Sequence, residues 1–583
     1  MEEMREPRVR RLLALLVATA ALLFLLRLGV IDLWAPDEPR FAQVAEELRS
    51  MEHGATGLVL LHLNGQPYTQ KPPLYYWAAA LLGAPGGRVS ESAARLPSAL
   101  AGVACVLVTV ALGRALFGSL AAGLWSGALL LTVYRFAFLA RRAQLDVILA
   151  LFECLALLAY WRLLEERGRR TGNLVLLHGA LGLAVLTKGP VGLLPIPIMA
   201  AHLAWEGRAG VLRTLFPPWS FLLSLAPALL WISLAVAFAA PGFFGDAVVD
   251  NLLGRFFSGT SHVRPVYYYA YQLPLDFMPW TLLWPLAAWT WHQELRKELH
   301  NPHPREGGAP SSPAPYCAAR FLLVWIALPL AFFTLSAGKR GLYLVPVYPA
   351  LALLCGVALE RSLARRSELP ALVSGGLAGL AALLAATGIF LAANGGLSIA
   401  AAPGFTLSAG FGVLVAGIAL AAAMAWWAAA RHRRPAAARV GVVVGGLVLL
   451  YLALFIGVFP GFEGEKSPRP ISVAAAELTP PGEPIAVFDH REMAGAIAYY
   501  GRRPVATLRS QASVRAFLAG GGRAIIVKAR KLERLESIAG GPLVVRARAR
   551  SGRRELLVVG PQMAPEGKER AQLRGFQHGS IGG

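Results

Sequence analysis

Apolar stretches of about 18 to 25 residues recur along nearly the whole chain, each long enough to cross a hydrocarbon core of roughly 30 Å as a helix. About 13 such segments can be counted on that criterion. The first runs over 12–31, and the others centre on 95–113, 119–137, 146–163, 174–187, 190–205, 217–240, 278–291, 319–336, 342–359, 370–393, 405–428 and 439–460. The 583 residues are 56% hydrophobic and 15% charged, whereas a soluble domain carries about a quarter charged residues. A polytopic α-helical membrane protein is the fold class this pattern requires. The first segment follows Arg5, Arg8, Arg10 and Arg11, as the core of a signal peptide would, but the spans behind it favour a retained anchor.

Short loops that hold Lys and Arg on the cytoplasmic side set the orientation. With the amino terminus inside, the inner loops are 162–170, 206–213, 292–305, 360–368 and 431–439, and all are rich in Arg or Lys. The loops 32–94 and 241–277 and everything after Pro460 then lie outside, which in a bacterial inner membrane is the periplasm. Much of the net charge of +22 therefore punctuates spans, and a nucleic-acid partner, which needs a basic folded face, is excluded. Cys105, Cys154, Cys317 and Cys355 lie in or beside spans without a short pair spacing, so they read as packing residues.

Three regions follow: a transmembrane domain over 1–461, an outer α/β domain over 462–562 and a disordered Gly- and charge-rich tail over 563–583. In the 32–94 loop, 37–51 reads as an amphipathic helix with Phe41, Val44, Ala45 and Leu48 on its stripe and Glu46, Glu47 and Arg49 off it. A second helix starts at Pro72-Pro73 and carries Tyr75, Tyr76 and Trp77. After Pro460, β-like runs at 485–488, 504–508, 524–527, 543–545 and 555–559 alternate with helical patterns.

Carboxylates at the outer ends of spans are functional candidates because charge in a membrane is expensive. Asp37, with Glu38, stands just beyond the first span, and Asp146 opens the fourth. Asp37 also suits a helix N-cap, and Asp146 a salt bridge to Arg141 or Arg142. Outer cations that would hold a phosphate are Arg40, Lys71, Lys188, Arg255, Arg264, Lys339 and Arg340. Lys71 immediately precedes a proline-started helix, whose positive end favours an anion, although snorkelling is its plainer role. Lys339-Arg340 fills a very short outer turn against the usual charge rule, with Tyr343 beside it as a hydroxyl or as an aromatic-belt residue.

In order and content these residues resemble the membrane glycosyltransferases of families 39 and 83, which include protein O-mannosyltransferases and the lipid A aminoarabinose transferases. The likeness rests on Asp37-Glu38-Pro39-Arg40-Phe41, on Asn64-Gly65, on Tyr68 with Lys71-Pro72-Pro73-Leu74-Tyr75-Tyr76-Trp77, and on Ala94-Arg95-Leu96-Pro97-Ser98. It continues through Arg141 to Asp146, Thr187-Lys188-Gly189-Pro190, Asn251 with Arg255-Phe256, His262 with Pro265, and Lys339 to Pro349. The resemblance implies a C-type glycosyltransferase fold, with Asp37 as catalytic carboxylate and Asp146 supporting acceptor or metal. Lys71, Arg40, Lys339 and Arg340 would hold the phosphate of a polyprenyl-phosphate sugar donor, with Glu38, Tyr68, Lys188, Arg255 and Tyr343 completing the substrate site. No nucleotide or other cofactor is required. A divalent metal fits less well, because Gln70 stands where the aminoarabinose branch has Glu, which leaves His262 as the candidate ligand.

A lipid acceptor resembling lipid A and a protein serine or threonine both remain open, as do a polysaccharide or another glycolipid. A transporter of lipid-linked sugar would place its charges near mid-membrane, whereas here they collect at one face. An assembly protein acting through its α/β region would be indifferent to loss of Asp37.

Overall fold

Every one of the expected spans falls on helix, but they are not equal in length or course. In the computed structural model the described residues are 7–239, 245, 263–300, 315–365, 371–394, 396–398, 406–431, 436–551 and 554–562. Among them six helices are long and apolar enough to cross a membrane: Glu91–Phe117, Asp146–Leu164, Arg170–Leu193, Ala318–Leu335, Gly341–Ala364 and Ala437–Gly461. Two broken pairs raise the number to eight, Leu120–Leu131 with Tyr134–Ala140 bent by 70° and Pro218–Ser224 with Ala226–Phe238 bent by 53°. The expectation of about 13 counted apolar residues without geometry. Pro195–Trp205 has only 11 residues in its helix, and Pro7–Leu25 carries Arg8, Arg10 and Arg11 on its first turns. The candidates Asn251, Arg255, Phe256 and His262 and the tail over 563–583 lie outside the described residues.

The chain divides into two compact units, one of residues up to Ile31 with Val44–Gly461 and the other of Asp32–Gln43 with the residues from Phe462 on. In the first, the buried core is a helical bundle in which Asp146–Leu164 packs along Arg170–Lys188 and Glu91–Phe117 along Leu120–Leu131. Ser90 and Ser119 cap Glu91–Phe117 and Leu120–Leu131 by accepting from Ala93 N and Ala122 N, so the sequence marks both helix starts.

Between the first and second spans, residues 44–94 form a folded cap. The strands His62–Leu63 and Gln66–Pro67 pair through Asn64-Gly65, whose φ values of 55° and 71° are those a two-residue hairpin turn requires. Glu47 was expected off the apolar stripe, yet it is buried, with Oε1 accepting Asn64 N at 2.7 Å and Oε2 accepting Gly65 N at 3.2 Å. A carboxylate can be buried this way because the turn's two amides compensate its charge. The next helix runs over Leu74–Gly83, with Pro73 as its N-cap residue.

The second unit holds a five-stranded sheet in the order Val505–Leu508, Ile485–Phe488, Ile525–Lys528, Arg554–Gly560, Val544–Ser551. The first three strands are parallel and the last two antiparallel to their neighbours. Four of the strands fall within two residues of the runs expected from the sequence, and the fifth, Val544–Ser551, extends six residues beyond its expected end. Alternate strand residues face two cores. Ile485, Val487 and Ile526 pack with Ile471 and Ile497 on one side, while Ala486, Phe488 and Val527 pack with Val514 and Leu535 on the other. Asp32–Gln43 joins this unit: Leu33 N donates to Tyr500 Oη at 2.6 Å, Asp32 N to Glu463 Oε1 at 2.7 Å, and Ser467 Oγ to Asp32 Oδ2 at 2.7 Å.

Candidate active site

At one end of the bundle the polar side chains form two joined groups. Asp146 is the first residue of Asp146–Leu164 and Lys188 the last of Arg170–Lys188, so antiparallel packing brings an amino end beside a carboxyl end. They make an ion pair, and both are largely withdrawn from solvent. The expectation that Asp146 pairs with Arg141 or Arg142 is therefore corrected. Arg141 instead donates to Leu23 O at 2.6 Å and Leu26 O at 2.8 Å, and its guanidinium lies over the Phe455 ring. Arg142 lies over the ring of Phe138. The Lys188 ammonium sits 4.8 Å from the centroid of Tyr343, which packs on Phe333.

Tyr343 belongs to the 3-10 turn Gly341–Val347, which packs against Asp146–Leu164. Just before it, Lys339 is buried, donating to Ser336 O at 2.5 Å and Arg264 O at 3.3 Å. Arg340 O accepts from Tyr269 Oη at 3.2 Å, and burial pushes the Tyr269 phenol pKa up, so it stays a donor. The charge-breaching turn is thus fixed by its neighbours on several sides.

Sequence reading missed the second group. Asp276, buried at the end of Tyr268–Asp276, accepts from Arg135 Nε at 2.8 Å, Gln272 Nε2 at 2.7 Å and Tyr348 Oη at 3.3 Å. A Cβ on Gly341 would stand 2.7 Å from Asp276 Oδ2, so only glycine leaves room for this carboxylate. The available signal was a single acid, Asp276, in an aromatic, apolar stretch, and an arginine, Arg135, on the first turn of Tyr134–Ala140 just after a break between apolar helices.

The remaining candidates are placed as follows. Tyr68 is buried and its Oη accepts from Tyr76 Oη at 3.2 Å, while Lys71 and Gln70 are half-buried before the Leu74–Gly83 helix. Arg95 serves the scaffold, donating to Leu28 O and Ile31 O at 3.0 and 2.6 Å, as does Ser98, which donates to Gln144 O at 2.6 Å. In the second unit, Asp37 opens the helix Asp37–Arg49 and its Oδ1 pairs with Arg40 Nη2 at 2.6 Å. Glu38 is buried and accepts from Trp34 N at 2.9 Å, so it shapes the bend rather than standing open. Of the two residues considered for a metal, Gln70 offers a neutral amide and His262 lies outside the described residues. Among them, Glu47, Glu52 and His53 do have ligand atoms within 4.8 Å of one another. Glu47 there is already engaged with the hairpin amides, and His53 stacks on His62 at 3.7 Å.

Residues 9–244 match the family model for dolichyl-phosphate-mannose-protein mannosyltransferases. Over 382 residues the chain is 31% identical to the undecaprenyl phosphate-α-4-amino-4-deoxy-L-arabinose arabinosyl transferase of Pseudomonas paraeruginosa, covering 65% of this chain and 64% of that protein. A Pseudomonas fluorescens relative of the same name is 29% identical, covering 60% of this chain and 58% of its own length. The chain thus spans about three-fifths of these relatives. The fold matches ArnT from Cupriavidus metallidurans bound to undecaprenyl phosphate with a TM-score of 0.72 at 22% identity, covering 95% of this chain and 99% of that one. The chain shares the GT-C fold of that membrane protein. A more distant GT-C structure, the oligosaccharyltransferase AglB of Archaeoglobus fulgidus, overlays with a TM-score of 0.51 at 14% identity, covering 92% of this chain and 71% of that one.

Proposed function

We propose that this protein transfers a sugar from a polyprenyl-phosphate donor to an envelope acceptor of the lipid A type, at the periplasmic face of a bacterial inner membrane. The observation that carries the reading is the gathering of Asp146, Lys188, Tyr343, Lys339 and Arg340 at one end of a bundle with the fold of an undecaprenyl-phosphate-bound transferase. The basic inner loops read from the sequence support the periplasmic orientation.

In this reaction the acceptor hydroxyl loses its proton to Asp37 as its oxygen bonds to the anomeric carbon. The bond from that carbon to the phosphate oxygen breaks, and the electron pair leaves with the lipid phosphate. Attack opposite the phosphate inverts the sugar. Arg40 and Lys71, with Lys339 and Arg340, stabilise the negative charge that develops on the leaving phosphate. Among the described residues Lys339 donates to two backbone carbonyls, which leaves a third N–H of its ammonium for the donor. The Asp146–Lys188 pair holds the Lys188 side chain against the Tyr343 ring.

Transfer of radiolabel from a panel of polyprenyl-phosphate sugars to envelope lipids and proteins, with the intact protein and with Asp37→Asn, tests this. Label moving only with the intact protein supports the reading and names donor and acceptor. Equal transfer by a well-folded Asp37→Asn protein removes Asp37 as base.

A further inference from the structure

The C-terminal sheet has a topological switch point. The chain leaves Ile485–Phe488 for Val505–Leu508 on one side and then crosses to Ile525–Lys528 on the other, the helices Ala494–Gly501 and Gln511–Ala519 covering opposite faces. In open sheets of this kind the crevice beyond the carboxyl ends of the two diverging strands is where ligands bind. Here that crevice begins with Asp489 and His490 after one strand and with Lys528 at the end of the other. Arg554 reaches the same edge because its strand runs antiparallel, with Leu556 opposite Lys528.

The groups around the crevice do not balance in charge. Among the described residues, Lys528, Arg530, Lys531, Arg534 and Arg554 are set against the carboxylates of Asp489 and Glu492. Asp489 is taken by Lys531 and, at 3.7 Å, by Arg534, and Glu492 lies 3.6 Å from Arg554. Lys528, partly buried, is held below the ordinary lysine range by burial and by the surrounding cations. His490 is buried and accepts from Arg554 Nη1 at 3.1 Å, so it adds an oriented dipole rather than a compensating charge. Like charges crowded at one sheet edge repel one another unless an anion joins them.

We propose that this crevice binds a phosphomonoester, held by Lys528, Lys531 and Arg554. Under the transferase reading above, on which this assignment alone rests, the phosphate is one carried by the acceptor, so the domain selects acceptors bearing it. Fixed cations at a strand-end crevice suit a compact dianion better than a neutral sugar.

The test uses the full chain in zwitterionic nanodiscs, titrated calorimetrically with glucosamine 1-phosphate and, in a second arm, with phosphorylated or dephosphorylated lipid A incorporated in the disc. The intact protein, the variant Lys528→Gln with Arg554→Gln, and the control Arg548→Gln, whose side chain is 70% exposed in the same domain, are compared. The double variant is expected to bind the soluble phosphate at least 10-fold more weakly, while the control binds as the intact protein does. Lys528→Gln alone should raise the melting temperature without ligand, since it relieves repulsion. Equal weakening by the control, or unchanged binding in the double variant, overturns the proposal. So does a fall in the unliganded melting temperature of Lys528→Gln, which marks a structural lysine. Response to phosphorylated lipid A without response to the soluble ester would mean that the membrane surface is sensed instead, and would overturn it too. These readouts need no sugar transfer, so failure of the transferase reading leaves them intact.

Discussion

Asp146 and Lys188 retain only 4% and 9% of their side-chain exposure and answer each other's charge at the junction of two spans. Removing one partner leaves a buried, uncompensated charge, a loss of about 3–5 kcal/mol in comparable pairs. Replacing both by near-isosteric uncharged groups removes the charge along with its partner and is often close to neutral. Asp146→Asn and Lys188→Met are therefore each expected to lower the melting temperature by about 5–10 °C, and the double variant by well under their sum. A thiol-reactive dye is a suitable readout, because Cys105, Cys154 and Cys355 are buried and become labelled on unfolding. Losses that simply add in the double variant would refute the reasoning, as they would show that the two side chains are stabilised by separate neighbours. Transferase activity should stay low in the double variant despite its recovered stability, because Tyr343 no longer faces a cation.

Asp37→Asn should reduce sugar transfer by about 10²–10⁴-fold with an unchanged melting curve, measured by labelled-donor turnover. Gly341→Ala drives a methyl to within 2.7 Å of Asp276 Oδ2 and should destabilise by about 1–3 kcal/mol, read by the same dye. Tyr500→Phe leaves the Leu33 amide without its 2.6 Å acceptor and should cost about 1–3 kcal/mol, seen as faster hydrogen exchange in the 32–43 segment. Burial, with Lys528 and Arg554 beside it, pushes the His490 pKa down to about 3. A histidine kept neutral in the fold but protonated when unfolded gives stability that is complete above about pH 6.5 and is lost as pH falls towards 3. Exchange protection of Ile485–Phe488, corrected for intrinsic rates, should fall between pH 7 and pH 5, with a flatter slope in His490→Gln.

Helices and strands were legible because their signals are local. Apolar runs gave the spans, and short β-branched runs located all five strands, although Val544–Ser551 runs six residues past its expected end. Bends were not legible, since apolar composition looks the same on either side of the 70° break before Tyr134. Pairings across the chain were legible only where charge was out of place. Lys339-Arg340 stood out in a short turn, whereas Asp276 and Arg135 each looked ordinary until 141 residues of separation were closed. The partner of Asp146 was not legible, because sequence proximity favoured Arg141 and Arg142 while antiparallel packing supplied Lys188.

The anchoring of Asp32 and Leu33 by Glu463, Ser467 and Tyr500 sets a schedule for biosynthesis. Asp32 precedes its partner Glu463 by 431 residues. At synthesis rates of about 5–20 residues per second, the ribosome needs roughly 20 to 90 s to make that intervening chain. Throughout that interval the segment bearing Asp37 has none of these three hydrogen bonds to hold it, although the membrane spans behind it are already being inserted. The proposed base thus acquires its final fastening last, after the bundle has been laid down.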